Sequence, residues 1–260
     1  MIRRSMSNLP HVTAAQGFKA KADAYAKARP SYPMESIDFL QKLTKKTPSQ
    51  TEMLDLGAGT GIMTRLLFEG GYTSLTAVEP VDAMRAKIGL PDNVSCLSGT
   101  SWSIPVKSQS QDVVMLAQCF HWFDDMKSLK EIHRVLKPGG LMVLIWNMES
   151  KRSPWVAQLR DLYEAYDGSA PQYRLGYWKH VFNEATDLYT PLQHETFQHD
   201  TLAKKSDVWT RITSKSYIAI LDKHTQDILH EKVQHVIDEY QLEDEFIYPL
   251  DTDMYYCYKK

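Results

Sequence analysis

The stretch Met53–Glu79 constrains the fold more than any other part of the chain. It opens with the short apolar segment MLDL, which is typical of a strand buried on both faces. The segment GAGTG at 57–61 follows at once, and glycine allows both a sharp turn and the close approach of a ligand. Apolar residues then recur at helical spacing, and Glu79 ends the next strand about 20 residues downstream. This order of strand, turn, helix and strand is one half of a nucleotide-type binding fold.

The spacing of these glycines narrows the choice of ligand. A dinucleotide fingerprint, G-x-G-x-x-G, has its third glycine where this chain has Ile62. Asp55, two residues before the first glycine, puts an acid in the loop, which disfavours a phosphate and favours a cation. S-adenosylmethionine carries a sulfonium and an ammonium group and no phosphate, so it suits an acidic glycine loop. Glu79 can accept two hydrogen bonds from a ribose diol.

Five motifs in order resemble those of the class I S-adenosylmethionine-dependent methyltransferases. They are YAKARPSYP (25–33), DLGAGTG (55–61) with Glu79, GTSWSIP (99–105), DVVMLAQCFHWFD (112–124) and EIHRVLKPGGLMVLIWN (131–147). The set is similar to the small-molecule branch called methyltransferase type 11. Fungal natural-product and thiol methyltransferases and trans-aconitate-methyltransferase-like proteins of that branch share FHWF. The resemblance covers residues 17–150 strongly and the remainder weakly.

The resemblance implies an α/β fold: a doubly wound, Rossmann-like sheet of seven mostly parallel strands, the last antiparallel, with a helical cap. We expect one methyltransferase domain over 17–260 after a flexible N-terminus (1–16). Its parts would be an N-terminal cofactor lid (17–48), a cofactor-binding core (49–150), a helical cap insertion (151–190) and C-terminal strands and helices (191–260). Hydrophobic patterns further predict helices over 17–28, 81–88, 205–220 and 225–240, and strands over 192–202 and 246–258.

The resemblance also assigns cofactor contacts outside the glycine loop. Tyr25 and Arg29 match positions that reach the methionyl moiety, and Met84 matches an apolar side chain on the adenine. Many relatives have an aspartate where Thr100 and Ser101 stand, so backbone groups and the Ser101 hydroxyl would take the adenine instead. The full cofactor set is Tyr25, Arg29, Asp55, Gly57, Ala58, Gly59, Gly61, Glu79, Pro80, Met84, Thr100, Ser101, Trp102, Ala117 and Gln118.

Ordinary structural roles stay open for several members of this set. Tyr25 could simply pack, and Arg29 could pair with a surface acid. Met84 could instead pack in the hydrophobic core, as methionines usually do. Trp102 could cover the adenine ring or just lie half-buried.

The end of the fourth predicted strand marks the acceptor side. Ligands of open α/β sheets bind beyond the carboxyl ends of the strands, near the switch in strand order. This rule places Ala117 and Gln118 at the cofactor's amino end. The predicted acceptor-binding residues are Phe120, His121, Trp122, Asn147 and Trp178. His121 titrates near neutrality and is the candidate general base, although a packed or orienting histidine is the alternative.

The composition limits the kinds of partner that we expect for this chain. The 260 residues include 30 basic and 32 acidic side chains, a formal net charge of −2, so no basic surplus exists to hold nucleic acid. Three scattered cysteines without a C-x-x-C pair suit a reducing compartment. No apolar run approaches the ~20 residues of a membrane helix. We therefore expect a cytoplasmic monomer or weak homodimer that contacts neither nucleic acid nor a membrane.

Histidine pairs do not predict a metal site. His194 and His199, like His230 and His235, are five residues apart rather than the four that place two histidines on one helix face. We expect no structural metal.

The sequence thus predicts methyl transfer from S-adenosylmethionine to an oxygen or sulfur of a small organic acceptor. Two alternatives stay open. One is a protein that binds the cofactor as a scaffold without methylating. The other is an NAD-dependent oxidoreductase, against which Ile62 counts.

Overall fold

The computed structural model of the chain describes residues 29–89 and 94–260. The expected flexible N-terminus (1–16), the expected helix over 17–28 and the proposed cofactor contact of Tyr25 lie outside the described residues. Described strands and helices are numbered below in chain order.

Nine strands form the two sheets of the described chain. They are β1 (Met53–Leu56), β2 (Leu75–Val78), β3 (Ser95–Leu97), β4 (Gln111–Ala117), β5 (Leu136–Glu149), β6 (Gln193–Gln198), β7 (Thr201–Lys204), β8 (Glu245–Tyr248) and β9 (Leu250–Tyr258). The α-helices are α1 (Met34–Leu43), α2 (Ile62–Glu69), α3 (Asp82–Arg85), α4 (Met126–Val135), α5 (Pro154–Glu164), α6 (Val181–Glu184), α7 (Asp207–Thr213), α8 (Ser216–Ala219) and α9 (Lys223–Glu239).

The main sheet has seven strands in the order β3-β2-β1-β4-β5-β9-β6. Strands β1 to β5 pair in parallel, and β9 runs antiparallel to both β5 and β6. The predicted fold class, including an antiparallel last strand, is confirmed. The strand order reverses between β1 and β4, so the cleft beyond their carboxyl ends is the expected binding position.

The sheet is apolar along whole strands because both of its faces are covered. Val114 and Leu116 of β4 pack on one side, in a core that includes α4. Val113 and Met115 pack on the other, in a core that includes α1 and α2. Adjacent side chains point to opposite faces of a strand, so a strand covered on both sides needs apolar residues throughout.

A third core lies away from the sheet. Helices α5 and α7 to α9 pack together with β8, around Leu159, Val208 and Val233. The small sheet β7–β8 belongs to this group. By contrast, Trp178 and Val181 pack against the main sheet. The expected cap over 151–190 is therefore split: α5 joins the C-terminal helices, while 173–190 covers the sheet.

Several predicted elements end where the backbone cannot continue them. The expected strand over 246–258 is divided at Pro249, which lacks an N–H, so β8 pairs with β7 and β9 with β5. The strand over 192–202 is interrupted at 199–200, so that β6 pairs with β9 and β7 with β8. The helix over 205–220 breaks at Lys215, whose backbone is extended (φ −72°, ψ 130°). The helix over 81–88 is only α3, one turn long.

The KPGG turn at 137–140 lies inside β5 rather than before it. The register of β4 with β5 shifts between Gln111 and Val113, which accommodates this turn as a bulge. None of the helices in the two described ranges combines the length and the apolar character that crossing a bilayer requires.

Candidate active site

The glycine loop joins β1 to α2 at the carboxyl end of the sheet. Its backbone is left-handed at Gly57 (φ 76°) and Gly61 (φ 81°), which strongly favours glycine there. The amides of Gly57 and Ala58 both donate to the carbonyl of Val78, at 2.8 and 3.1 Å, so the loop is fastened to β2. Gly61 is the N-cap of α2, and the first amides of this helix therefore face the loop.

The carboxylate of Glu79 holds the loop from the tip of β2. One oxygen accepts from the amide of Gly59 and the other from the amide of Val81, both at 2.9 Å. Only 5% of Glu79 is exposed, and burial raises the pKa of its carboxyl. Pro80 follows directly and leads into α3. This acid is therefore pre-positioned at the rim of the cleft, where a ribose diol was predicted to bind.

The second acid, Asp55, lies beneath the loop. It is fully buried, and one oxygen accepts from the hydroxyl of Thr64 at 2.6 Å. The other oxygen is buried and has no hydrogen-bond partner among the described residues. Burial, with the nearby charge of Glu79, raises the pKa of Asp55 to about 7. A buried carboxylate with an unused acceptor atom fits a cationic ligand above the loop.

The predicted adenine residues come from α3 and from the turn that follows β3. Met84 is buried, with its Cε 3.5 Å from the position of a Cβ on Gly59. Thr100 exchanges backbone hydrogen bonds with Ser103 in a tight turn. The Ser101 hydroxyl is buried and accepts from Ser128 at 2.9 Å, so it is directed toward α4.

Trp102, the remaining residue of that turn, is held in place through its indole. Its Nε1 donates to the carboxylate of Asp125 at 2.8 Å. Asp125 also caps α4 by accepting from the amide of Ser128. The turn is thus fixed to the start of α4. The adenine contacts of Met84, Thr100, Ser101 and Trp102 stay predictions.

The carboxyl ends of β4 and β5 are tied together at the switch point. After Ala117, Gln118 adopts a left-handed backbone (φ 59°), which is uncommon for a residue other than glycine. Its side-chain amide donates to the carbonyl of Asn147 at 2.9 Å. The Asn147 side chain donates to the carbonyl of Ser31 and accepts from Thr252. Asn147 therefore anchors the segment before α1 to the sheet.

The FHWF segment divides its side chains between the core and the cleft. Residues 120–122 form a 3-10 helix, in which Phe120 is fully buried and contacts Phe182 and Trp178. Trp178 is likewise buried, at 1% exposure. The structure thus places these two predicted acceptor residues in the core. His121 and Trp122 instead line a cavity.

That cavity is open to solvent on one side and lies beside the switch point. Asn147 and Arg29 line it together with His121 and Trp122. Residues that the sequence analysis did not select also line it, among them Glu149, Tyr173, Lys215 and Tyr217. Arg29 also lines the neighbouring cavity next to Ile62, at the start of α2. Arg29 therefore lies between the glycine-loop side and the acceptor side of the cleft.

A buried ion pair forms one wall of the cavity. The ammonium of Lys215 donates to Glu149 at 2.7 Å, and Tyr163 donates to the other oxygen at 3.1 Å. The charge of Lys215 holds the pKa of Glu149 at about 2, against the opposing effect of burial. Glu149 follows Asn147 on β5, so the strand-end rule could have found it. Lys215 comes from a helix break 66 residues later, and no local pattern marks it.

Comparison with known proteins decides the family. A family model described as a methyltransferase domain matches residues 54–144. An uncharacterised methyltransferase of Schizosaccharomyces pombe is 32% identical over 232 residues, covering 85% of this chain and 86% of the relative. The chain belongs to the class I S-adenosylmethionine-dependent methyltransferases. A Mycobacterium tuberculosis methyltransferase, also uncharacterised, is 40% identical to this methyltransferase over 149 residues, 56% of this chain and 58% of the relative.

Solved structures agree in fold. A type II methyltransferase structure from Anaeromyxobacter dehalogenans superposes with a TM-score of 0.65 at 18% identity, covering 89% of this methyltransferase and 96% of that chain. The Haemonchus contortus phosphoethanolamine N-methyltransferase 2, in complex with phosphomonomethylethanolamine and S-adenosylhomocysteine, gives a TM-score of 0.56 at 14% identity, covering 95% and 59%. At these identities the likeness shows the fold alone.

The glycine loop of this methyltransferase fits S-adenosylmethionine. Its glycines have left-handed backbones, and Glu79 accepts a hydrogen bond from the amide of Gly59. Asp55 keeps an unused buried oxygen below it. Family membership also favours this cofactor over NAD, the alternative left open by the sequence.

Proposed function

We propose that this methyltransferase moves the methyl group of S-adenosylmethionine to an oxygen or sulfur of a small organic acceptor. The observation that carries the proposal is the cavity beside the switch point, bordered by the ends of β4 and β5. It is concave and lined by aromatic side chains with a few polar groups, which is typical of small-molecule sites. The cavity shares Arg29, Gln118, Asn147 and Glu149 with the space next to α2, so cofactor and acceptor would meet at these residues.

When bound, S-adenosylmethionine supplies a methyl group on a sulfonium, a good leaving group for in-line displacement. The chain's contribution is to bind and orient. Glu79 would accept hydrogen bonds from the ribose, and the glycine loop would contact the methionyl end. The carboxylate of Asp55 would stabilise the positive charge of the cofactor. Arg29 would approach the methionyl carboxylate, since it lines the cavity next to the start of α2.

The acceptor side would align the reacting atom and exclude water. Trp122, Tyr173 and Tyr217 give the cavity aromatic walls, which suit an organic molecule. Holding the acceptor within roughly 3–3.5 Å of the methyl carbon replaces the encounter of two free molecules and lowers the barrier. Gln118 and Asn147 are fixed by hydrogen bonds to the sheet and to Ser31, so they offer a rigid edge for this alignment.

Mass spectrometry of candidate acceptors tests the proposal. Purified protein with S-adenosylmethionine should add the mass of one CH₂ group to an oxygen or sulfur compound, and the methyl position follows from fragmentation. Methylation confined to nitrogen or carbon would contradict it. A protein that binds the cofactor but methylates nothing would instead support the scaffold alternative.

We also propose that the enzyme works in the cytoplasm as a monomer or weak homodimer, without nucleic acid or membrane partners. The near-neutral net charge of −2 and three free cysteines support this. Light scattering at micromolar concentration should find the monomer mass or a mixture with dimer; a stable tetramer would contradict it.

A further inference from the structure

Arg211 of α7 lines the cavity next to the start of α2. It is half-buried, and its guanidinium lies over the ring of Tyr248, 4.7 Å from the ring centre. Tyr248 is itself buried in β8, within the third core. A cation over an aromatic face is attracted to the ring, so the side chain has a preferred position there. The third core therefore holds this arginine at the edge of the cavity.

The guanidinium of Arg211 has neither a hydrogen bond nor an ion pair with the residues that the structure describes. Asp207 is four residues earlier in α7, the spacing at which an acid and an arginine often pair, but these two do not. The other described arginines all donate to a carboxylate or a carbonyl: Arg29, Arg65, Arg85, Arg134, Arg152, Arg160 and Arg174. Arg211 thus keeps its N–H donors for a ligand.

The position of this cavity indicates which ligand group Arg211 meets. Ile62 at the start of α2, Gln118 after β4 and Asn147 of β5 line it as well. The proposed function places the methionyl end of S-adenosylmethionine here, and that end carries both an ammonium and a carboxylate. The acids of the loop, Asp55 and Glu79, suit the ammonium and the sulfonium but repel the carboxylate. A cation from another part of the fold has to bind it.

We propose that Arg211 binds the methionyl carboxylate of S-adenosylmethionine, so that the C-terminal helices supply part of the cofactor site. A guanidinium suits this group because two of its parallel N–H donors match the two carboxylate oxygens. Arg29, which the resemblance assigns to the same carboxylate, precedes α1, whereas Arg211 reaches the cavity from the third core. The inference rests on the proposed function, which puts the cofactor in this cavity.

The carboxylate of Glu149 lines the same cavity and would repel an anion if it were unpaired. Lys215 donates to one of its oxygens at 2.7 Å, and the hydroxyl of Tyr163 donates to the other at 3.1 Å. The charge of Glu149 is therefore compensated from within the third core. Arg211 adds a positive charge that no described acid offsets through an ion pair.

Calorimetric titration with two matched ligands tests the proposal. Decarboxylated S-adenosylmethionine keeps the sulfonium and the ammonium and lacks only the carboxylate. R211M should bind S-adenosylmethionine about tenfold more weakly than the parent does, because a charge-assisted hydrogen bond is lost. Its affinity for the decarboxylated compound should equal that of the parent. K204M is the control, because Lys204 is an exposed cation of β7 that lines neither cavity, and it should bind both ligands as the parent does.

Hydrogen exchange gives a second reading that a purely structural role of Arg211 would not produce. In the parent, S-adenosylmethionine should slow amide exchange across α7 more than the decarboxylated compound does, because only the complete cofactor contacts Arg211. Equal slowing by the two ligands would overturn the proposal.

The calorimetric outcomes separate this inference from the proposed function. If the parent binds no S-adenosylmethionine, the proposed function fails. If the parent binds it and R211M binds it equally well, the proposed function stands and this inference is wrong. An equal loss of affinity for both ligands in R211M would also overturn the inference, since Arg211 would then support the fold and not the carboxylate.

Discussion

The Sγ atom of Cys119 lies 3.0 Å from the position that a Cβ atom on Gly57 would occupy. The thiol also donates to the carbonyl of Leu56 at 3.2 Å. The end of β4 is thus packed directly against the first residue of the glycine loop. Glycine is favoured at position 57 for two reasons: its backbone is left-handed, and a Cβ atom there would crowd Cys119.

Replacing Gly57 should destabilise the protein more than its backbone angle alone explains. G168A is the matched control, because Gly168 is also left-handed (φ 55°) but a Cβ there would meet nothing within 4 Å. We expect G57A to lower the free energy of unfolding by roughly 1–3 kcal/mol and G168A by about 1 kcal/mol. Urea denaturation measures both. Equal losses would show that the contact with Cys119 carries no cost.

The buried pair Glu149–Lys215 should behave as a unit. E149Q leaves the Lys215 ammonium buried without its partner, and we expect a loss of about 3–5 kcal/mol in unfolding free energy. The double variant E149L/K215M removes both charges and should recover most of that loss. Urea unfolding of the parent, E149L, K215M and E149L/K215M closes the cycle. Additive losses would mean that the two side chains do not interact.

The same pair predicts the response of the protein to acid. The folded pKa of Glu149, about 2, is below its ordinary value of 4.5. Its contribution to stability is therefore complete above pH 4.5 and is lost as the pH falls toward 2. The parent should lose about 3 kcal/mol more than E149L/K215M over this window. Parallel pH profiles of the two proteins would contradict the assignment.

The buried carboxyl of Asp55 predicts the opposite dependence of stability on pH. Its folded pKa, about 7, is above the ordinary 3.8, so between these values the folded protein holds a proton that the unfolded chain has released. The stability of the cofactor-free protein should therefore fall as the pH rises through this window. D55N should lack this decline, whereas D82N, at an exposed acid, should keep it. A decline of equal size in D55N would contradict it.

Affinity for S-adenosylmethionine should also respond to Asp55. Ionisation of the carboxyl favours a cationic ligand, so the affinity of the parent should rise between pH 6 and 8, around the pKa of about 7. Calorimetric titration across this range measures the effect. The D55N variant should bind more weakly and with a flatter profile.

The sequence predicted the glycine loop and Glu79 because both depend on local rules. A loop that needs left-handed backbone selects glycine, and an acid after the second strand lies at the loop's rim wherever the two strands are parallel neighbours. The doubly wound sheet with its antiparallel last strand followed from the family resemblance. These features are determined within one strand–turn–helix–strand unit.

The residues that line the acceptor cavity could not be predicted in the same way. Lys215 reaches the cavity from the break between α7 and α8, and Tyr217 reaches it from α8. Both lie far along the chain, and the packing of the third core brings them there. The pattern FHWF does not tell which of its aromatic side chains face the core. Phe120 and His121 are neighbours, but only the histidine lines the cavity.

The most direct test of the account is calorimetric titration of S-adenosylmethionine into the parent and into E79A. E69A, at an exposed acid in α2, is the control. We expect the parent and E69A to bind alike, and E79A to bind at least tenfold more weakly, since it loses hydrogen bonds of a charged group worth about 1.5–3 kcal/mol each. If the parent takes up neither S-adenosylmethionine nor S-adenosylhomocysteine, or if E79A binds as tightly as the parent, the account is wrong.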